Sequence, residues 1–287
     1  MTQEPMDNRL EEIADAYRAA YAAHDPSRAP ISPQARFSEN NVEMDFPDAS
    51  WDAVTREVGP ALTLSDPHTG QVGFFTAIMM NDTPGFLGVR LKVDGDRITE
   101  IEHILSTRRL LSGPPTPIGD VHTFVHDPDL AREVPAQERS GREEMVRVSD
   151  GYFSTLENNT GEIRGTRFAP ATKRFENGME FADVERLFRL GNYRFNERVR
   201  DREYFLVDEP RGLVMCRAFI DHKGVLDSFR LTDGSEKKSI FREPHSWSVF
   251  ELFKVKQGVI TSIEAIFIAV PYNLRSPWTG LPWRRGV

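Results

Sequence analysis

The stretch "FKVKQGVITSIEAIF" (residues 253–267) and an earlier one, "LKVDGDRITEIEHIL" (91–105), decide how the chain is organised. Laid over one another without a gap, at a constant offset (253 − 91 = 162), they share Lys92/Lys254, Val93/Val255, Ile98/Ile260, Thr99/Thr261, Ile101/Ile263, Glu102/Glu264 and Ile104/Ile266. Two amphipathic strands can agree this far by chance, so other segments must agree as well. "PQARFSENNVE" (33–43) meets "PATKRFENGME" (170–180) at offset 137, through Pro33/Pro170, Glu39/Glu176, Asn40/Asn177 and Glu43/Glu180. "DPHTGQV" (66–72) meets "DEPRGLV" (208–214) at offset 142, through Asp66/Asp208, Gly70/Gly212 and Val72/Val214. Tyr17 and Tyr152 occupy equivalent places on two predicted helices, at offset 135. Offsets that rise along the chain are what loop insertions in a duplicated unit produce. The sequence therefore predicts two copies of one α+β domain.

Composition bounds the class. The 287 residues suffice for two ordinary domains, each with its own core. Apolar residues at 39% and charged residues at 28% describe a soluble globular chain. No apolar run approaches the roughly 18 residues of a membrane span, and the acidic "MTQEPMDNRLEEIADAY" is unlike a signal peptide. The single cysteine, Cys216, excludes an intramolecular disulfide and a cysteine-rich zinc site, so a cytoplasmic location is expected. A net charge of −8 argues against a nucleic-acid partner. A homo-oligomer is compatible with all of this.

Residues 8–23 carry helical periodicity in Leu10, Ile13, Ala14, Tyr17, Ala20 and Tyr21, and Pro26 and Pro30 end it. Strands are predicted over 72–80, 85–93 and 97–105, the last two joined by "DGD". Residues 112–140 are Pro-rich and aperiodic, which reads as a linker between a first domain (1–111) and a second (141–287). A second helix starts near Arg142 with Met145, Val148, Tyr152 and Leu156 on one face, and strands follow over 204–220 and 246–270.

A helix, a Pro-broken loop, a short acidic strand and a long strand meander, found twice, resemble the nuclear transport factor 2-like superfamily. SnoaL-like cyclases, scytalone dehydratase and ketosteroid isomerase belong to it. The resemblance implies two tandem cone-shaped α+β barrels, each a curved antiparallel sheet wrapped around helices. It also implies site residues. The isomerase's oxyanion-donor tyrosine lies seven and eight positions before a Gly-Asp helix end. Tyr17 stands so before "HD" (24–25) and Tyr152 before "NT" (159–160). Its base is an aspartate three residues before a Val-Glu pair. Glu39 precedes "VE" (42–43) by three, and Glu176 precedes "ME" (179–180) by three. The isomerase's second oxyanion donor, a protonated aspartate, has no clear counterpart among Leu87, Gly88, Val249 and Phe250.

A carboxylate facing a phenol across an apolar pocket suits proton abstraction, because low dielectric raises the base and the phenol holds the oxyanion. Each candidate also has a plainer reading. Tyr17 and Tyr152 fit a core equally well, and the repeated Glu-Asn pair fits a turn closed by Asn40 and Asn177. The Glu102/Glu264 pair lies within strands, with its face undecided. Among the histidines, His103, His222 and His245 end or open strands and are the candidate acids. His122, His126 and Asp127 have a spacing that Pro117 and Pro128 make unsuitable for a metal. Arg198, Arg200 and Arg202 alternate as a solvent face, with Arg202 a candidate substrate anchor. Asn177, Phe153 and Trp247 complete the candidate substrate contacts, and 19 phenylalanines favour an apolar or aromatic ligand.

Dinucleotide, P-loop, nucleophile-elbow and H-E-x-x-H signatures are absent from the sequence. No cofactor and no metal are expected. The expected function is a cofactor-independent lyase, dehydrating or cleaving a C–C bond by retro-aldol chemistry, on a hydroxylated aromatic substrate. Lignin-derived diaryl compounds fall within the superfamily's scope. The second reading is a non-catalytic ligand-binding or scaffold protein of the same fold; among enzymes, a ketosteroid-isomerase-like isomerase is the runner-up. The longer insertions, two of the three candidate histidines (His222 and His245, expected at the pocket mouth), and Trp247 and Trp278 favour the C-terminal copy as the active one.

Overall fold

The computed structural model describes residues 5–108 and 117–279, with side chains from Arg9 onward. The expected domain boundary at 111/112 and the closing "WRRGV" lie outside the described residues. The first half runs α1 (Pro5–Ala22), β1 (Ile31–Glu39), β2 (Val42–Met44), α2 (Ser50–Ala53), β3 (Val54–Asp66), β4 (Gln71–Met80), β5 (Thr83–Asp94) and β6 (Arg97–Thr107). The second runs α3 (Arg142–Leu156), β7 (Phe168–Glu176), β8 (Met179–Phe181), α4 (Val184–Arg189), β9 (Arg198–Asp208), β10 (Leu213–His222), β11 (Ser228–Arg230), β12 (Glu236–Lys238), β13 (His245–Lys256) and β14 (Val259–Pro271).

Each half holds one six-stranded sheet, ordered β2-β1-β6-β5-β4-β3 and β8-β7-β14-β13-β10-β9. The two orders are the same, which is consistent with two tandem α+β units. The strand ends repeat the sequence offsets: β7 lies 137 residues after β1 at both ends, β10 lies 142 after β4, and β13 lies 162 after β5. The change from 142 to 162 is an insertion between β10 and β13 that carries the small β11–β12 hairpin. Two expectations need correction. The sheets are not purely antiparallel, because β1 pairs in parallel with β6 and β7 with β14; a long intervening chain lets these strands run the same way. The apolar segments 204–220 and 246–270 each contain a turn, at Glu209–Gly212 and at Gln257–Gly258, so each contributes parts of two strands.

In α1 the predicted stripe of Leu10, Ile13, Ala14, Tyr17, Ala20 and Tyr21 is buried, packed on Phe74, Leu87, Val89, Ile98 and Ile101 of its sheet. In α3 the stripe of Met145, Val148, Tyr152 and Leu156 packs likewise on Val214, Val249, Phe253 and Ile263. A third core joins the opposite faces of the two sheets, through Phe75, Phe86 and Ile104 on one side and Met215, Phe250 and Ile266 on the other. Strands covered on both faces read as continuous apolar runs, as β4 and β10 do. Close approach here requires glycine. A Cβ on Gly73 would lie 2.6 Å from Met215 Sδ, and one on Gly88 would lie 3.1 Å from both Phe250 and Phe75.

The seam also answers the Glu102/Glu264 question. Both carboxylates face neither solvent nor a pocket; they are buried where the two halves meet. Glu102 takes Arg90 Nε at 2.8 Å and Arg217 Nη1 at 2.5 Å, both guanidiniums being buried. Glu264 receives His126 Nδ1 at 2.9 Å. His126 belongs to the 117–140 segment, which lacks long elements but is docked, with Val121, Leu130 and Val134 buried and Lys254 donating to the Arg132 carbonyl.

Removing one partner of a buried ion cluster leaves uncompensated charge, at a cost of about 3–5 kcal/mol. Glu102→Ala is expected to lower unfolding stability by that order in urea titrations. A change within experimental error would show that the seam does not depend on the cluster.

Candidate functional site

The interiors of the two halves differ, although built on one plan. In the first, Tyr17 Oη lies 2.8 Å from His103 Nε2 and accepts from Trp51 Nε1 at 3.1 Å. His103 Nδ1 faces Glu39 at 3.4 Å, and Ser50 donates to the same carboxylate while accepting from Tyr21 at 2.8 Å. Tyr17, His103 and Trp51 are at most 1% exposed and Glu39 is 7% exposed, so this network is closed by its own side chains. Burial, the largest cause, raises the Tyr17 and Tyr21 phenols above their ordinary range. The groove of about 990 Å³ nearby opens beside β1 and β2 and includes none of Tyr17, Glu39 and His103.

In the second half the position equivalent to His103 is Ala265 (103 + 162). Losing the imidazole helps to leave a cavity of about 600 Å³, into which Ala265 itself opens. Tyr152 and Glu176 line it, as does Trp247. Its polar end also holds three residues that the sequence did not single out: Arg174, Tyr193 and Glu251. Arg174 Nε lies 3.1 Å from Glu176 Oε1, and Arg174 Nη2 donates to Tyr193 Oη at 2.6 Å. Its guanidinium lies between the Phe181 and Tyr193 rings, at 5.3 and 5.1 Å from their centroids.

Glu251 stands on β13 two residues beyond Val249, in the inward alternation Trp247–Val249–Glu251–Phe253. Burial, with repulsion from Glu176 second, pushes its carboxyl up to about 8; Arg174 and a hydrogen bond with Tyr152 offset part of this. Burial likewise raises the Tyr152 phenol, and that of Tyr193. The cavity's polar end thus holds a carboxyl that burial raises to about 8 and two phenols, beside the Arg174–Glu176 ion pair.

The apolar end is lined by Ile240 and Phe241 of the insertion, Leu187 of α4 and Phe195 of the α4–β9 connection. His222 and His245 do not line the cavity. They stack at 4.6 Å behind Phe241 and Trp247, with His222 fully buried. His222 Nε2 bonds Asn196 Oδ1 at 2.9 Å and His245 Nδ1 bonds the Glu243 carbonyl at 2.9 Å. Burial first, then His245, pushes the His222 imidazole down to about 3. Aromatic walls, not the strand ends, decide what reaches the cavity.

The remaining candidates serve the scaffold. Asn177 (φ 47°) donates to the Phe267 carbonyl at 3.1 Å and accepts the Phe267 N–H at 2.9 Å; Asn40 (φ 53°) does the same with Leu105 at 3.3 and 2.8 Å. The repeated Glu-Asn pair is therefore explained in part by a left-handed turn that Asn tolerates and by an amide that extends the strand ladder. Phe153 is buried against Tyr152 and Phe253, away from the cavity. Arg202 binds Asp150 and Ser154 on the outside of α3, and Arg198 and Arg200 both pair with Asp221. Among the described residues no group of three or more His, Cys, Asp or Glu is arranged to hold a metal ion, and no helix is long and apolar enough to cross a membrane.

A family model for a domain of unknown function, DUF8021, matches residues 138–267, the half that contains the cavity. No curated protein sequence matches the chain. Among solved structures, a de novo designed protein with a curved β-sheet is 17% identical, with 44% of this chain and 87% of that one covered and a TM-score of 0.30. AclR from Streptomyces galilaeus, provisionally a hydroxylase, is 14% identical over 38% of this chain and 89% of its own, with a TM-score of 0.30. A provisionally assigned ketosteroid isomerase from Kribbella flavida DSM 17836 is 12% identical over 42% and 92%, with a TM-score of 0.25.

Two measurements test this geometry. Asn177→Ala strips partners from a buried N–H and C=O and is expected to cost about 1–3 kcal/mol; an unchanged urea midpoint would refute the latch. Glu251 has a folded pKa of about 8, above its ordinary 4.5, so its stabilising contribution is complete below pH 4.5 and lost as pH rises toward 8. His222 has the opposite sign: its contribution is present above 6.5 and lost as pH falls toward 3. Between pH 6.5 and 8 the Glu251 effect acts without that opposition, with a slope of up to about 1.4 kcal/mol per pH unit. Glu251→Gln should flatten the decline of stability across this interval, and an unaltered decline would show that Glu251 is not the group responsible.

Proposed function

We propose that the second half is a cofactor-independent acid–base enzyme acting on a hydroxylated aromatic small molecule, carried on two tandem nuclear transport factor 2-like units. The observation that carries this is the buried Glu251 carboxyl beside Tyr152 and the Arg174–Glu176 pair, at one end of an aromatic-walled cavity, where burial raises its pKa. A substrate carbonyl oxygen set between Tyr152 and Glu251 would receive two neutral donors, and Glu176 would be the base.

Elimination follows directly. Glu176 takes the proton from the carbon next to the carbonyl, and the electron pair moves onto the oxygen held by Tyr152 and Glu251. Return of that pair expels a β-hydroxyl, which leaves as water with the proton from Glu176. If Glu176 takes the β-hydroxyl proton instead, the C–C bond breaks, an aldehyde leaves, and Glu176 returns the proton to the enolate carbon. Both outcomes are lyase reactions. Isomerisation is the second reading, and Glu251 specifically favours it, since a neutral carboxyl is the donor which the isomerase pattern lacked in the sequence. The closed first half fits the scaffold role. A lone, fully buried thiol at Cys216 is compatible with a reducing cytoplasm.

General base catalysis is worth about 10²–10⁴ in rate. With β-hydroxy aryl ketones as substrates, followed by enone absorbance and aldehyde release, Glu176→Gln is expected to lose that factor while keeping its circular dichroism. Glu39→Gln and His103→Ala should retain activity to the extent that they fold. Full activity in Glu176→Gln alongside inactive, folded Glu39→Gln or His103→Ala would place the chemistry in the first half.

A further inference from the structure

The cavity has a second cation, and it comes from the insertion. In β12, Glu236 and Lys238 are exposed while Lys237 between them turns inward to line the cavity. Its hairpin partner Phe229 is buried in a cluster with Phe195 and Phe241. Lys237 is thus an ammonium set into an aromatic wall, 5.8 Å from the Phe195 ring. Its hydrogen-bond partner is the neutral amide oxygen of Asn192, at 2.5 Å. Nearby acids are engaged elsewhere: Glu236 accepts from Ser228, and Glu176 is paired with Arg174. Among the described residues Lys237 has no carboxylate within ion-pair distance, whereas the cavity's other cation, Arg174, has one.

A partly buried ammonium without a counter-ion is costly to keep. Burial alone lowers the Lys237 pKa, with no acid raising it. A ligand that brings the missing negative charge would recover that cost, and the aromatic side chains around it would contact the ligand's rings.

We propose that the β11–β12 hairpin makes this cavity selective for aromatic carboxylates, with Lys237 pairing with the ligand's carboxylate. This rests on the acid–base assignment of the cavity and adds to it the substrate class. The carboxylate docks at the insertion, and the reacting carbonyl lies at Tyr152 and Glu251. Asn192 holds the ammonium in place and shifts to share it when the anion arrives.

The test compares 2-naphthoate with its neutral counterpart 2-naphthamide by isothermal titration calorimetry on the full chain. Wild type is expected to bind naphthoate about tenfold or more tightly, a modest demand on one ion pair, and the advantage should shrink as salt is raised. Lys237→Met should bring the two affinities together while leaving naphthamide unaffected. Lys237→Arg should retain the preference. Equal affinities in wild type, or an undiminished preference in folded Lys237→Met, would overturn the anion anchor and leave the acid–base assignment standing. Failure of both compounds to bind wild type would remove the anchor and the aromatic cavity assignment together.

Discussion

The central strands of both sheets, β4, β5 and β6 in one and β10, β13 and β14 in the other, must satisfy two neighbours. One face lies against its own half's core and the other lies against the opposite sheet, where Glu102 binds Arg90 and Arg217. That double burial restricts the polar residues that strands can carry. A charged group on the seam face must find a partner there, as Glu102 does across the seam with Arg217 and Glu264 does with His126 of the docked 117–140 segment. A charged group on the inner face must be paired, neutral or useful to a ligand. The seam fixes the halves as a unit, so the interior of one is free to change while the other keeps its packing.

The two interiors show what that freedom allows. At equivalent positions, Phe37 becomes Arg174 (137 apart), Val89 becomes Glu251 (162 apart) and His103 becomes Ala265 (162 apart). In the first half, an imidazole fills the centre and uses the tyrosine and glutamate as its hydrogen-bond partners. In the second, alanine vacates that centre and two ionisable groups, Arg174 and Glu251, enter from neighbouring strands, leaving Tyr152 and Glu176 beside open space. One tyrosine–glutamate pair therefore serves a closed polar core in one copy and a ligand cavity in the other.

The fold was legible because its signals are periodic. Apolar stripes placed α1 and α3, and shared residues at offsets 137, 142 and 162 anticipated the registration of equivalent strands. Tyr152, Glu176 and Trp247 were legible as cavity residues by motif and position. Glu251 was not, because the isomerase pattern points to Val249 and Phe250 for the protonated acid, while the alternation Trp247–Val249–Glu251 carries the signal. Arg174 was visible only as a departure from Phe37 within a matched pair of strands. The histidines misled, since their position at strand ends says nothing of the Phe241 and Trp247 rings that stand in front of them. Tyr193 and Lys237 lie in segments without a copy in the first half, where no internal comparison can mark a residue as unusual.

The same insertion explains why the cavity is polarised. The sheet and α3 supply the acid, the phenol and the carboxylate paired with arginine at one end, on long elements packed into the core of the second half. At the other, the insertion supplies Lys237, on a two-stranded hairpin, with Ile240 and Phe241 after it. Chemistry that depends on tenths of an ångström belongs on the rigid part, and recognition, which tolerates adjustment, belongs on the roof. A chain that changed only its roof would alter what it binds while leaving Glu251 desolvated by β10, β13 and α3. The elevation of that carboxyl is therefore a property of the doubly covered sheet, and the choice of ligand is a property of the insertion.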